Sequence, residues 1–158
     1  MAVDASRARL RLWLRLLATT NELERVLRRR MRAQFGTTLP RFDVMAALER
    51  APGGLSMSEL SRHLMVTNGN TTTLVGAMER DGLVQRTVSP SDRRSFSVVL
   101  TPAGRARFER MAAVHARWVS ELLAGVEVAD AERLSRGLHE ARQAIRANAG
   151  ELSGAGGR

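Results

Sequence analysis

Residues 55–101, LSMSELSRHLMVTNGNTTTLVGAMERDGLVQRTVSPSDRRSFSVVLT, constrain the fold more than any other stretch of the chain. Ser56, with Glu59 three residues on, has the form of a capping box and marks where a helix starts. Leu60 and Leu64 lie one turn apart on its inward face. After a tight turn a second helix is expected over about 67–81, carrying Leu74, Val75 and Met78 inward. It should stop at Asp81-Gly82, because glycine takes the left-handed conformation of a helix C-terminus at little cost. Residues 83–88 and 95–100 are rich in β-branched and apolar residues and read as two strands. The link Ser89-Pro90-Ser91-Asp92-Arg93-Arg94 is polar and turn-prone.

Helix, turn, helix and hairpin are the plan of a winged helix-turn-helix, whose second helix enters the DNA major groove. The expected fold is mainly α with a small antiparallel β-hairpin, in a single domain of 158 residues. Within it, residues 41–101 form the winged helix-turn-helix, with a wing over about 83–101. Charge alone does not carry the DNA reading. The formal net charge is +9, and all 25 basic residues are arginine. Residues 1–35 hold nine arginines against three acids, whereas residues 55–101 hold five against four. An anionic partner is favoured for the chain as a whole, but contacts to DNA must rest on geometry and on the wing arginines.

The flanks are helical. From 7 to 35, Leu10, Trp13, Leu14, Leu17, Leu23, Val26, Leu27, Met31 and Phe35 recur at three- and four-residue steps. A helix of that length in a small protein suits packing against a second subunit. Gly36 to Pro40 is a break, and a short helix with Phe42, Met45 and Leu48 follows it. Thr101-Pro102 opens another helix, with threonine as cap and proline in the first turn. Asp130 is expected to cap a last one. Residues 7–35 and 102–148 are therefore expected to dimerise the chain, and the glycine-rich 150–158 to be a disordered tail.

Other classes find little support. Cysteine is absent, which removes disulfides and thiol metal sites. His63, His115 and His139 are far apart and have no metal-ligand spacing. There is no phosphate loop, dinucleotide fingerprint or nucleophile elbow. No catalytic residue, metal site or cofactor is assigned. No run reaches the ~18 apolar residues of a membrane span, and arginines interrupt the N-terminal segment, so a cytoplasmic location without membrane contact is expected.

The stretch GLVQRTVSPSDRRSFSVVLTPAG, residues 82–104, resembles the wing signature of the MarR family of transcriptional regulators. The signature is Asp-x-Arg, a short strand, then Leu-Thr-x-x-Gly. It is matched by Asp92, Arg94, Leu100, Thr101 and Gly104. The resemblance covers roughly residues 10–146. It implies an obligate homodimer, a winged helix-turn-helix in each subunit, and repression at a double-stranded operator relieved by a small molecule.

Arg93 and Arg94 would present a guanidinium to a narrow minor groove, whose negative potential attracts it. Asp92, repelled by phosphate, would pair with a neighbouring arginine and hold the tip in shape. In the reading helix Asn68, Asn70 and Thr71 are the candidates for base edges, with Thr72 and Thr73 for bases or phosphate. Gly69 costs about 1 kcal/mol relative to alanine inside a helix and would let backbone approach DNA. Arg86 is a candidate phosphate clamp. Ser56 and Ser58 open the supporting helix and could reach phosphate, although capping accounts for Ser56.

The resemblance also implies an effector between the dimerisation helices and the reading unit. Wall candidates are Trp13, Leu17, Arg41, Phe42, Met45, His63 and His115. Trp13 could stack on an aromatic ring, and an arginine could hold a carboxylate through two hydrogen bonds. Residues 11–17 and 37–43 resemble the subgroup that controls breakdown of hydroxycinnamates and related aromatic acids. The effector expected on that ground is an aromatic carboxylic acid or its coenzyme A thioester. Two other readings share these features. A non-specific architectural DNA-binding protein would have no sequence preference and no effector. A protein–protein adaptor built on the arginine-rich first helix would show no salt-dependent DNA binding.

Overall fold

The structure, a computed structural model, describes residues 2–64, 68–88 and 96–155. Elements follow in the order α1 (Ala2–Phe35), α2 (Leu39–Glu49), α3 (Met57–Leu64), α4 (Asn68–Arg80), β1 (Val84–Val88), β2 (Phe96–Leu100), α5 (Pro102–Leu122) and α6 (Val128–Ala155). This is the mainly helical fold with one hairpin expected from the sequence. The chain divides into two compact units, one ending at Trp118 and the other starting at Val119.

In the first unit the helix ends are set by the residues that the sequence placed there. Ser56 Oγ accepts from the Glu59 amide at 3.3 Å, and the Ser56 amide donates to Glu59 Oε2 at 2.8 Å. The capping box therefore forms and starts α3. Gly82 takes φ +69° just past α4, and the Leu83 amide donates back to the Met78 carbonyl at 3.0 Å. A side chain would strain that left-handed turn. Strands β1 and β2 pair antiparallel, Val84 opposite Leu100 and Val88 opposite Phe96. Leu55 adds a bridge to Val98 on the far edge of β2.

One core joins these pieces. Met31 from α1, Val44, Met45 and Leu48 from α2, Leu60 from α3, Val75 and Met78 from α4, Val84 and Val98 from the hairpin and Met111 from α5 are all buried. Trp118 is also buried; it meets Phe35 with ring centroids 6.0 Å apart, and the Arg30 guanidinium lies 5.8 Å from its ring. Arg107 donates to the Phe35 carbonyl at 3.1 Å, which satisfies an orphan acceptor at the C-terminus of α1.

Four boundaries differ from expectation. Helix α2 starts at Leu39, inside the break expected over Gly36 to Pro40, because proline is tolerated in a first helical turn. Helix α1 starts at Ala2, not near residue 7; Ala2 and Ala5 favour helix, and Asp4 in the first turn suits its positive end. Asp130 does not cap α6. The helix begins at Val128, and Asp130 sits in its first turn, paired with Arg133. Helix α6 also continues to Ala155, into the segment expected to be disordered. Ala149, Glu151, Leu152 and Ala155 are good helix formers, and extending an existing helix needs no new nucleus.

Candidate nucleic-acid interface

Helix α4 shows two opposed faces. Thr71, Val75 and Met78 recur at four- and three-residue steps and are fully buried. The other side carries Gly69, Asn70, Thr72 and Thr73, all exposed. Thr73 Oγ1 donates to the Gly69 carbonyl at 3.1 Å, a local bond within the helix. Among the described residues no atom lies within 4 Å of where a Cβ at Gly69 would stand, so packing against them does not require glycine there.

Thr71 corrects the sequence reading. It was expected to read bases, but it has no exposed surface and Ser61 Oγ donates to its hydroxyl at 2.8 Å. Ser61 Oγ also lies 2.9 Å from the Met57 carbonyl, and its single proton serves one acceptor at a time. The pair fixes the approach of α3 to α4. Thr71 shares the helical stripe of Val75 and Met78, and that phase outweighs its polarity.

The wing is tied to the end of α4. Thr101 Oγ1 donates to the Gly82 carbonyl at 2.6 Å and accepts from the Gly104 amide at 3.0 Å. The Thr101 amide donates to the Leu83 carbonyl at 3.1 Å. One threonine thus caps α5 and joins it to the turn between α4 and β1. A Cβ at Gly104 would lie 1.9 Å from the Leu83 carbonyl oxygen, so no side chain fits there. Leu-Thr-x-x-Gly is in this chain a packing motif at the base of the wing.

Arg86 lies on β1, with its Nε 3.5 Å from a Glu79 carboxylate oxygen, so α4 supplies its nearest anion. Arg41 reaches from α2 to Asp81 just past α4, and this contact holds the Asp81 carboxyl below its usual range. Its Nε is buried with no hydrogen-bond partner among the described residues. Asp92, Arg93, Arg94 and the side chain of Asn68 lie outside the described residues.

The effector residues expected from the sequence do not form one chamber. Trp13 and Leu17 are 56% and 40% exposed. They belong to an apolar stripe with Leu10 and Leu14 that nothing in this unit covers. His63 is exposed on α3, and Met45 is wholly core. Phe42 and His115 do meet. Their rings stack at 4.7 Å, with Phe108 5.4 Å from Phe42 on the same ring. Burial holds the His115 imidazole below its ordinary range. This cluster is packing between α2 and α5.

An open cavity of about 530 Å³ lies elsewhere, lined by Arg28, Arg29, Arg32, Thr37, Thr38, Leu39, Pro40 and Leu74. Sequence reasoning missed these residues as a group. The signal was present in Arg28-Arg29-Arg30 and Arg32, a cationic run just before the break at Gly36. Near it Asp43 has its carboxyl pushed up to about 6, by burial first and then by Glu24, with Arg28 and Arg50 opposing. Among the described residues no helix is long and apolar enough to cross a membrane.

Comparison with known proteins agrees with this architecture. A MarR family model matches residues 35–95. The transcriptional activatory protein BadR of Rhodopseudomonas palustris is 39% identical over 104 residues, 65% of this chain and 59% of that one. The transcriptional repressor IacR of Pseudomonas putida is 32% identical over 117 residues, 74% of this chain and 66% of that one. The alignments thus span about six-tenths to two-thirds of these relatives' lengths. A crystal structure of a MarR family transcriptional regulator from Silicibacter pomeroyi superposes with a TM-score of 0.76 at 36% identity, covering 90% of this chain and 98% of that one. With its winged-helix unit, its capped and glycine-locked wing base and a relative matched over nearly its whole length, the chain belongs to the MarR family.

Proposed function

We propose that the chain is a dimeric, sequence-specific DNA-binding transcriptional repressor, released from a pseudo-palindromic operator by a small aromatic acid or its coenzyme A thioester. The observation that carries this reading is the polar, exposed face of α4 (Asn70, Thr72 and Thr73) on a helix pinned by Ser61 at one end and Thr101 at the other. A rigid helix presenting short hydrogen-bonding side chains suits base edges and phosphates in a major groove. Dimerisation is supported by the apolar stripe on α1 and by Leu134, Leu138 and Ile145, exposed on α6. Two reading helices would then meet successive major grooves about 34 Å apart. Relatives include a repressor and an activatory protein, and the sign of control depends on where the operator lies relative to the promoter.

The test is fluorescence anisotropy with labelled DNA from upstream of the chain's own gene, against scrambled DNA of equal length. Specific binding should exceed non-specific binding by ~10³-fold or more at fixed salt. Aromatic acids, then their thioesters, are titrated into the complex. A ratio near one would instead support an architectural DNA binder, and no salt-dependent binding at all would support an adaptor.

A further inference from the structure

We infer that Thr73 reads thymine through its methyl group, in a track that Gly69 and Gly76 hold clear along the outer midline of α4. This deepens the operator-binding reading proposed above and rests on it. Thr71, Val75 and Met78 form the buried stripe of α4. At 3.6 residues per turn the opposite line is Gly69, Thr73, Gly76 and Arg80, spaced at steps of four, three and four. Gly69, Thr73 and Arg80 are exposed on it, and Gly76 is half-buried.

A threonine hydroxyl carries one proton. Thr73 Oγ1 donates it to the Gly69 carbonyl at 3.1 Å. While that bond lasts, Thr73 has no proton for a phosphate or for an acceptor on a base. The bond also turns the oxygen back toward the preceding turn and leaves Cγ2 as the group presented outward. In the major groove the match for a methyl group is the C5-methyl of thymine, the one apolar group on a base edge.

The two glycines are an independent observation. Each weakens a helix relative to alanine, and packing among the described residues requires neither. A Cβ at Gly69 would meet no atom within 4 Å, and one at Gly76 would meet only Arg80 Nη1 at 3.9 Å, the end of a flexible side chain. Left-handed conformation is not the reason either, because the glycines with positive φ are Gly36, Gly54 and Gly82. The fold thus gives no cause for glycine one turn to either side of Thr73. A base edge lying against the helix backbone supplies one, since a side chain at either place would hold the duplex away from the Thr73 methyl.

The test is a double-mutant cycle between the two methyl groups. Operator DNA from upstream of the chain's own gene is made with thymine or with uracil, which lacks only the C5-methyl. Both are bound to the full chain at one salt concentration and read by fluorescence anisotropy, with scrambled DNA as control. The parent should prefer thymine by about tenfold, because each buried methyl contributes roughly fourfold and a dimer presents two. Thr73→Ser keeps the hydroxyl and removes the methyl, and its preference should fall to about twofold or less. Thr73→Val keeps a methyl without the hydroxyl and should retain the preference. Gly69→Ala/Gly76→Ala should raise the thermal midpoint in circular dichroism yet weaken operator binding severalfold. A parent preference near one, or one that Thr73→Ser leaves unchanged, overturns the thymine assignment. Loss of the preference in Thr73→Val overturns it as well. Parent-like affinity in the double alanine variant overturns the cleared track. Parent binding no tighter to the operator than to scrambled DNA defeats the regulator reading itself, and the thymine assignment with it.

Discussion

Replacing Gly104 with alanine should break the joint at which the wing meets α5. The added Cβ would stand 1.9 Å from the Leu83 carbonyl oxygen, 2.8 Å from its carbon and 3.2 Å from its Cα. Ordinary contact begins near 3.4 Å, so the two segments must part by about 1.5 Å. All three obstacles are backbone, and no side chain can swing aside. The same separation would stretch the Thr101 amide bond to Leu83 and the Thr101 hydroxyl bond to Gly82. Overpacking costs ~1–3 kcal/mol, and two weakened hydrogen bonds add ~1 kcal/mol each. Alanine returns up to ~1 kcal/mol in helix propensity, less in a first turn. The net loss should be about 2–4 kcal/mol. Urea unfolding followed by circular dichroism measures it, at one fixed protomer concentration because a dimer's stability depends on concentration. Gly137→Ala is the control. Among the described residues no atom lies within 4 Å of a Cβ there, and α6 should gain up to ~1 kcal/mol. A Gly104→Ala chain as stable as the parent would refute the steric account of Leu-Thr-x-x-Gly.

Thr71→Val should lower stability by ~1–2 kcal/mol through loss of the Ser61 contact, while operator affinity per folded molecule stays unchanged; Thr72→Val, on the exposed face, should do the reverse, and a matched pair of urea melts and anisotropy titrations separates them. Asp43→Asn should stabilise the fold at pH 7. With its folded pKa raised from 3.8 to about 6, the parent's carboxyl contributes fully below pH 3.8 and loses that contribution as pH rises through 6. The full shift corresponds to ~3 kcal/mol, but Asp43 keeps exposed surface even though neighbouring groups crowd its carboxyl, and solvent screening reduces the gain to roughly 1 kcal/mol. Melts at pH 4 and pH 7 check it, and an equal effect at both would sink the assignment. His115 acts in the opposite sense. Its folded pKa is lowered, so its contribution is present above pH 6.5 and is lost as pH falls below that value; His115→Phe should flatten the parent's loss of stability between pH 7 and pH 5.

The winged unit was legible because its signals are local. A capping box, an Asp-Gly stop and a Thr-Pro start each act within three or four residues, and the structure places α3, the end of α4 and the start of α5 where those signals put them. Thr71 was misread because residue type argues for a groove and helical phase argues for the core. Only the phase of Val75 and Met78 decides between them, and it was available in the sequence. Gly104 matched a motif without showing its reason, since Leu83 lies 21 residues earlier and the contact exists only once the hairpin closes. The arginine cavity was hidden for a related cause. Leu74 comes from α4 and the arginines from α1, so no spacing rule links them.

The connections around α4 limit how any ligand could act on it. Its buried face is held by Ser61 and the core, its C-terminal turn by Arg41 and by Thr101. A helix secured at both ends cannot change register or unwind without losing several of these contacts at once, the Ser61 and Thr101 hydrogen bonds among them at ~1 kcal/mol each. It can tilt together with α2, α3 and the hairpin, because those contacts travel with it. Reading helices on a dimer need only small tilts to miss successive grooves, since their separation must match one turn of DNA. A site that touches Leu74 from α1 is therefore placed to act on orientation and not on helix formation. For that reason the stability of α4 and its response to ligand should be separable by mutation.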